Sequence, residues 1–412
     1  MTTERIHPLL SGALLLYVWS LPLEIPERGG FPLEVHTVTG GLLLLAALLQ
    51  PARGFGRPPA ALWWFSAYFY VFVCLGVVTE YVGQWLKDAF SFLQVLLLFW
   101  VTSTMLREVA LARRALIGYA AACTLLALLQ RLGVTSSVAE VGSVAVRMTV
   151  LGQNPNTLAH NLSLAILVLV GLAYDSDRPV WRYRALVWVP VALLATAVMP
   201  TAARGALLAL SVGLAVLLWP RGGSGRQLRN VTLGGLALVA LAGVVWRSDA
   251  MRDRLVQTAE GNDMAKREEL FPAAWEMFLE KPLLGWGPVN NRVELVRHVP
   301  RAEVPTRETH NVVLEVLTEA GLVGGAPFLV GMILCLRASW LARRGAFGAL
   351  PLAMMLSLLV TKMGTAGVST KMHWLVLACA VAWLPAAHVF AWPDASVRHR
   401  LPPRLRLRTL RG

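Results

Sequence analysis

The sequence predicts an all-α polytopic membrane protein of about twelve transmembrane helices, with one large outer loop between spans 9 and 10. Three observations carry that prediction. Of its 412 residues, 56% are hydrophobic and only 15% are charged, with a mean hydropathy of +0.58, where ordinary soluble domains carry about 25% charged residues. The apolar residues fall in repeated runs of about 17–22, long enough to cross a hydrocarbon core of roughly 30 Å. The net charge of +14 is gathered into short arginine clusters between alternate runs, the mark of cytoplasmic loops.

The expected spans lie near residues 8–23, 33–50, 60–79, 84–105, 114–132, 154–174, 184–200, 203–219, 230–246, 312–336, 346–362 and 371–391, in a single integral membrane domain of residues 1–412. The first run is broken by Pro22 and followed by acidic residues rather than a small-residue cleavage site, so it reads as a span. With the N-terminus inside, the even-numbered loops and both termini hold 21 of the 38 basic residues and five of the 24 acidic ones. The reverse orientation breaks the positive-inside pattern at almost every loop. The excess charge is therefore a topology and headgroup signal, and nucleic acid is not an expected partner. Residues 393–412, with Arg398, Arg400, Arg404, Arg406, Arg408 and Arg411, read as a basic cytoplasmic tail at the lipid surface. Cys74, Cys123, Cys335 and Cys379 all fall in apolar runs and read as small buried hydrophobes, which supports neither a disulfide framework nor a zinc site.

Three outer segments carry the polar chemistry. The loop at 133–153 holds Arg147 and ends in Gly152-Gln153-Asn154-Pro155-Asn156. A very short turn, Met199 to Gly205, joins two spans. The segment 247–311 is too long for a plain connection. Inside it, Asp263–Glu280 reads helical, with Ala265, Leu270, Ala273, Ala274, Met277 and Phe278 at helical spacing. Pro282 ends that helix, and Gly285-Trp286-Gly287-Pro288 makes a tight turn. Thr306 or Thr309 is expected to cap the helix that follows.

Arg147, Arg204 and Arg267 lie at or just outside span ends on this outer side. Each alone reads as readily as a snorkelling arginine, but three planar guanidinium forks from separate segments suit phosphate oxygens. His310 brings an imidazole that titrates near neutral pH and can take a proton from a hydroxyl, and Asn311 adds an amide. Glu315 and Glu319 follow on the same helix face as Asn311, Glu315 as a supporting group. Glu268 and Glu269 flank Arg267. His160 and His373 read as core or interhelical hydrogen bonders, and Gly321, Gly324 and Gly325 as small residues for close helix packing. No Asp-x-Asp or His-x-x-His grouping on the outer side suggests a metal, and no serine sits in a nucleophile elbow. No metal and no cofactor are expected.

These residues carry a resemblance. His310, Asn311, Gly321 and Gly324 match an H-N-x9-G-x-x-G pattern, and Arg204 with Leu208 matches R-x3-L at a span start. Together with the Arg147–Asn156 and Arg267–Gly287 segments, they make the chain resemble the O-antigen ligase and O-antigen polymerase superfamily of bacterial membrane glycosyltransferases. The resemblance covers residues 147–324, and the first four spans match by hydropathy only. It implies an inner-membrane protein with both termini cytoplasmic and segment 247–311 as the periplasmic loop. It implies transfer of a glycan from undecaprenyl diphosphate to an acceptor hydroxyl, without metal or ATP. In a ligase the acceptor is a sugar of the lipid A core, in a polymerase the next lipid-linked repeat unit, and in the protein-glycosylating branch a serine or threonine. Carried onto this sequence, His310 is the base, and Arg147, Arg204 and Arg267 hold the diphosphate. Asn154, Asn156, Asn311 and Glu315 support them. The rival from another class is a transporter or flippase, which would place its polar groups near the midplane rather than at one boundary.

Overall fold

The fold comes from a computed structural model that describes residues 6–23, 34–139, 146–174, 184–219, 266–299 and 306–383, with a few isolated positions between 232 and 256. Its helices are α1 (Pro8–Ser20), α2 (Val35–Leu49), α3 (Ala60–Leu75), α4 (Val82–Met105), α5 (Val109–Arg131), α6 (Pro155–Tyr174), α7 (Trp188–Val198), α8 (Arg204–Leu218), α9 (Arg267–Glu280), α10 (Asn290–His298), α11 (Val312–Ala342), α12 (Leu350–Lys362) and α13 (Lys371–Ala382). Among the described residues five helices are long and apolar enough to cross a membrane: α3 with its 3-10 extension to Val78, α4, α5, α6 and α11. The remaining apolar helices, α1, α2, α7, α8, α12 and α13, are shorter and sit where spans are expected. The expected span at 230–246, the start of the expected 263–280 helix and the basic tail at 393–412 lie outside the described residues.

The apolar helices share one core, with Leu14, Phe65, Phe99, Tyr119, Leu167, Leu210, Met354 and Cys379 among its fully buried members. Of the cysteines, Cys123, Cys335 and Cys379 are buried, but Cys74 is exposed. It stands on the outward face of α3 beside Tyr70 rather than in the core. A second, smaller core joins α9 and α10 through Leu270, Ala273, Ala274, Met277, Leu295 and Val299, with Leu314 of α11 packed against it. The helix expected between Asp263 and Glu280 is therefore present as α9 and stops at Lys281, one residue before Pro282, whose ring cannot continue it.

Helix ends gather at two opposite ends of the bundle. At one, Trp383 donates to the Leu106 carbonyl at 2.9 Å and Arg107 to the Arg57 carbonyl at 2.8 Å, with Arg343, Arg344 and Arg113 nearby in sequence or contact. At the other, Gln153 donates to the Pro22 carbonyl at 2.9 Å, Thr79 to the Pro288 carbonyl at 3.0 Å and Lys371 to the Thr37 hydroxyl at 2.8 Å. The described parts of the polar segments, 133–139, 146–153, 199–205, 266–299 and 306–311, all belong to this second end. The first of them folds as a two-stranded antiparallel hairpin, β1 (Ser136–Ala139) with β2 (Val146–Thr149), with Val138 opposite Arg147. In β2 Arg147 and Thr149 are buried while Met148 between them is exposed, the period-2 alternation of a strand lying on a protein surface.

Helix α11 is broken at Gly321, which takes φ +57° and ψ −155°. Residues 322–342 alone, at 1.5 Å per residue, measure about 31 Å and match the bilayer core. The turn after α9 is hydrogen-bonded into the break: Trp286 N–H to Thr318 O at 2.8 Å, Gly287 N–H to Glu319 O at 3.0 Å, Leu322 N–H to Pro282 O at 2.8 Å and Val323 N–H to Leu283 O at 3.1 Å. A Cβ on Gly321 would run into the Leu283 carbonyl, and one on Gly285 would lie 2.6 Å from the Thr318 oxygen. Gly324 behaves as expected of a packing glycine, since a Cβ there would press on Tyr68 and Val71 of α3 at 3.3 Å. Gly325 faces Leu317 of its own helix. Gly321 differs: its partner is backbone, and no side chain fits that approach.

Candidate active site at the outer end of the bundle

Apart from Arg147 in β2, the candidate residues lie at or near helix N-termini, and the sequence places them there for local reasons. Asn311 is the N-cap of α11, in place of Thr306 or Thr309. Its Oδ1 accepts from the backbone N–H of Val313 at 2.9 Å and of Leu314 at 3.2 Å, worth about 1 kcal/mol against alanine. Thr309 instead bonds the Asn311 carbonyl at 3.0 Å. Between them His310 is held in the left-handed region at φ +51°, which costs an L-residue about 1–2 kcal/mol. Such strain persists only where neighbours fix it, and it concentrates at functional positions. Asn154 turns back to accept from the Asn156 N–H at 2.8 Å, starting α6. Arg204 and Arg267 are the first residues of α8 and α9. Four helix N-termini, those of α6, α8, α9 and α11, thus open on this end. Each presents the positive end of its dipole, with the first N–H groups of α6 and α11 taken by the Asn154 and Asn311 caps, a setting suited to anions.

Contacts link these separate segments. Arg147 donates through Nε to the Thr201 carbonyl at 2.8 Å and through a terminal nitrogen to Asn156 Oδ1 at 2.6 Å. It joins the hairpin, the start of α6 and the turn that leads to Arg204. One turn further along α6, His160 Nδ1 lies 3.2 Å from the Thr361 hydroxyl at the end of α12. Two and three residues beyond Thr361, Met363 Sδ meets the Asn311 amide at 4.0 Å, and the Gly364 carbonyl accepts from Arg267 at 2.7 Å. The end of α12 therefore brings Arg267 and the His310–Asn311 pair to adjacent residues. His160 hydrogen-bonds between helices, as its apolar surroundings suggest.

Around this centre lies a network of buried charge. Glu315 is 3% exposed and accepts from the Gly367 N–H at 2.8 Å. Lys362 is buried and donates to the Gly367 carbonyl at 2.5 Å, so one loop residue joins acid and base. Glu319, also buried, accepts from the Tyr68 hydroxyl at 2.5 Å. Arg292 of α10 pairs with Asp88 of α4 at 3.1 Å. Burial works against the charge of Arg292, but the carboxylates of Glu315, Glu319, Asp88 and Glu308 outweigh it and hold the guanidinium above its ordinary value. Lys362, Gly367, Lys371, Tyr68 and Arg292 are absent from the sequence reading. The available signal was a Gly/Thr/Ser-rich connector, Thr361 to Thr370, with a lysine at each end.

A bundle of apolar helices with arginines, an imidazole and four helix N-termini at one end defines a polytopic membrane protein whose polar groups gather at one boundary. Residues 189–329 match the family described as O-antigen ligase, Wzy_C. No curated protein matches the chain. The resemblance to the O-antigen ligase superfamily thus stands on the segment holding Arg204, Arg267, His310, Asn311, Glu315, Gly321 and Gly324. Arg147, Asn154 and Asn156 precede it and Lys362 follows it. Members of that family are glycosyltransferase-like membrane enzymes acting on glycans and lipid-linked substrates.

Proposed function

We propose that the protein moves a glycan from undecaprenyl diphosphate to an acceptor hydroxyl, a lipid A core sugar, at the periplasmic face of the bacterial inner membrane. The observation that supports this most is the pairing of Arg267 with Gly364 and of Asn311 with Met363. Because Met363 and Gly364 are neighbours, it supports a reading in which Arg267 meets the leaving group and His310 the acceptor. The acceptor O–H gives its proton to the His310 ring, and its oxygen forms a bond to the anomeric carbon. The bond from that carbon to the diphosphate breaks, and the diphosphate leaves with the electron pair. Arg204, Arg267 and Arg147 meet its charge, as preorganised donors do for a developing anion. Direct displacement inverts the anomeric centre. Asn156 holds Arg147 and Asn154 fixes the turn that carries Asn156, and Asn311 and Glu315 fix the segment that carries His310.

The test is a lipopolysaccharide gel of a strain lacking the protein, with its lipid-linked glycan pool analysed alongside. Loss of the O-antigen ladder, with long polymer stranded on undecaprenyl diphosphate, is the expected result. An unchanged ladder and pool would overturn the proposal. Single repeats capped onto core, with no long polymer, would contradict the ligase reaction and point to polymerisation.

A further inference from the structure

The segment 247–311 is expected to stand outside the membrane, yet part of it is bonded into the break of α11. The turn 282–287 is tied by four backbone hydrogen bonds to residues 318–323 of α11. Its other side meets the end of the span Ala60–Val78: the Pro288 carbonyl accepts from Thr79 at 3.0 Å, and Gly287 abuts Val78. The 21 residues of α11 beyond the break already match the bilayer core in length. The turn therefore sits at the level where two spans leave the hydrocarbon.

The side chains there face outward and are apolar. Leu283 and Leu284 are 64% and 52% exposed, and Leu322 and Val323 beside them on the span are each 48% exposed. The same strip runs up α9 through Leu279 and Trp275, at 57% and 47%. The helix has three faces. Leu270, Ala273, Ala274 and Met277 point into the small core. Glu269, Glu276 and Glu280 line a second face. Leu279 and Trp275, on the third, lie about 80° and 120° from the middle of the glutamate face at 100° per residue, and only Glu268, beside Arg267, interrupts this third face at its far end. A helix with separate core, acid and apolar faces has two solvents to satisfy.

We propose that the strip Trp275–Leu279–Leu283–Leu284 is seated in the outer leaflet, at the boundary between headgroups and acyl chains, so that α9 lies on the membrane rather than above it. The occupant is bilayer lipid, because the strip is continuous with the lipid-facing residues Leu322 and Val323 of a span. Tryptophan is favoured at that depth, and amphipathic helices bind by burying such a face. Lys281, at the end of the strip, folds back over the Trp286 ring at 3.6 Å, which keeps its ammonium away from the apolar side. The consequence is mechanical. Arg267 at the far end of α9 is held at a fixed height above the bilayer surface, whatever glycan the protein handles.

The test uses nitroxide labels in liposomes, on a Cys74→Ala background, the other three cysteines being buried. Labels go at Leu279→Cys, Leu283→Cys and Leu284→Cys, with Glu276→Cys and Arg297→Cys as references on the acid and water faces. The expected result is several-fold greater collision with oxygen than with a water-soluble nickel chelate at the three leucine sites relative to the references. Trp275→Cys lies on the same strip but outside the turn, so it must give the same reading even if labels at 283 and 284 disturb the backbone bonds. Nickel collision at 275, 279, 283 and 284 as frequent as at 276 and 297 would overturn the proposal. The readout is independent of transfer activity.

Discussion

Gly321→Ala is the substitution on which the fold of the site depends most visibly. At φ +57° and ψ −155° the position falls in a region nearly closed to L-residues, a cost of about 1–3 kcal/mol. The new methyl also collides with the Leu283 carbonyl. Relief requires the turn to withdraw, which releases the bonds from Leu322 to Pro282 and from Val323 to Leu283 at about 0.5–1.5 kcal/mol each. The total is about 2–6 kcal/mol, a large part of the 5–15 kcal/mol that holds an ordinary domain together. The assay is thermal melting of the purified protein in detergent, paired with Gly118→Ala. Gly118 sits inside α5 with nothing within 4 Å of an added Cβ, so alanine there should be neutral or stabilise by up to about 1 kcal/mol. Gly321→Ala should melt at least about 2 °C below the parent, and hydrogen exchange should quicken in both 282–287 and 318–323. A melting temperature equal to that of Gly118→Ala would refute the reasoning, because it would mean that the break is not held by the turn.

Other substitutions probe the rest of the centre. Arg147→Lys keeps the charge but cannot reach both the Thr201 carbonyl and Asn156; we expect about 1.5–3 kcal/mol lost in melting experiments, with donor KM raised more than kcat is lowered. Lys362→Met removes one of the two cations, Arg292 and Lys362, that face buried Glu315 and takes the donor from the Gly367 carbonyl; it should cost about 1–3 kcal/mol. Adding Glu315→Gln should recover part of that, and strictly additive effects in the double-mutant cycle would contradict the coupling. His298 bonds Glu280 at 3.2 Å and the Glu294 carbonyl at 3.1 Å. Burial opposes its charge, but the Glu294 backbone bond and the Glu280 carboxylate raise its pKa above the ordinary 6.5. The tie between α9 and α10 is therefore full below the unfolded value and lost as pH rises through the raised folded value. Protection factors for hydrogen exchange in 267–299, which remove the base catalysis common to both proteins, should fall as pH rises above about 6.5 in the parent but not in His298→Gln; identical protection profiles would contradict it.

Much of the fold was legible because apolar runs and arginine clusters are local signals. Eleven of the expected spans coincide with described helices, and Pro282 marks the end of α9 as its ring chemistry requires. The site was legible in its residue types: Arg147, Arg204, Arg267 and His310 all fall at one end of the bundle. What was not legible depends on contacts distant in sequence. The role of Gly321 is set by a backbone approach from residues 282–287, and nothing in the helix itself distinguishes it from Gly324, which lies against neighbouring side chains. The hairpin at 136–149 was hidden because four-residue strands give too short an alternation. Asn311 prevails over Thr306 and Thr309 as cap because its Oδ1 reaches two backbone amides. Lys362 and Lys371 were overlooked because a lysine at a span end normally snorkels; only the folded chain shows each turned onto a polar partner.

The central claim is that His310 takes the acceptor proton while Arg267 holds the leaving diphosphate. It is tested most directly by single-turnover transfer from undecaprenyl-diphosphate-linked glycan to lipid A core, using purified protein in liposomes with donor binding measured in parallel. The account predicts that His310→Ala binds donor like the parent but transfers at least about a hundredfold more slowly, whereas Arg267→Ala loses donor binding. Transfer by His310→Ala at the parental rate, with binding intact, would contradict it.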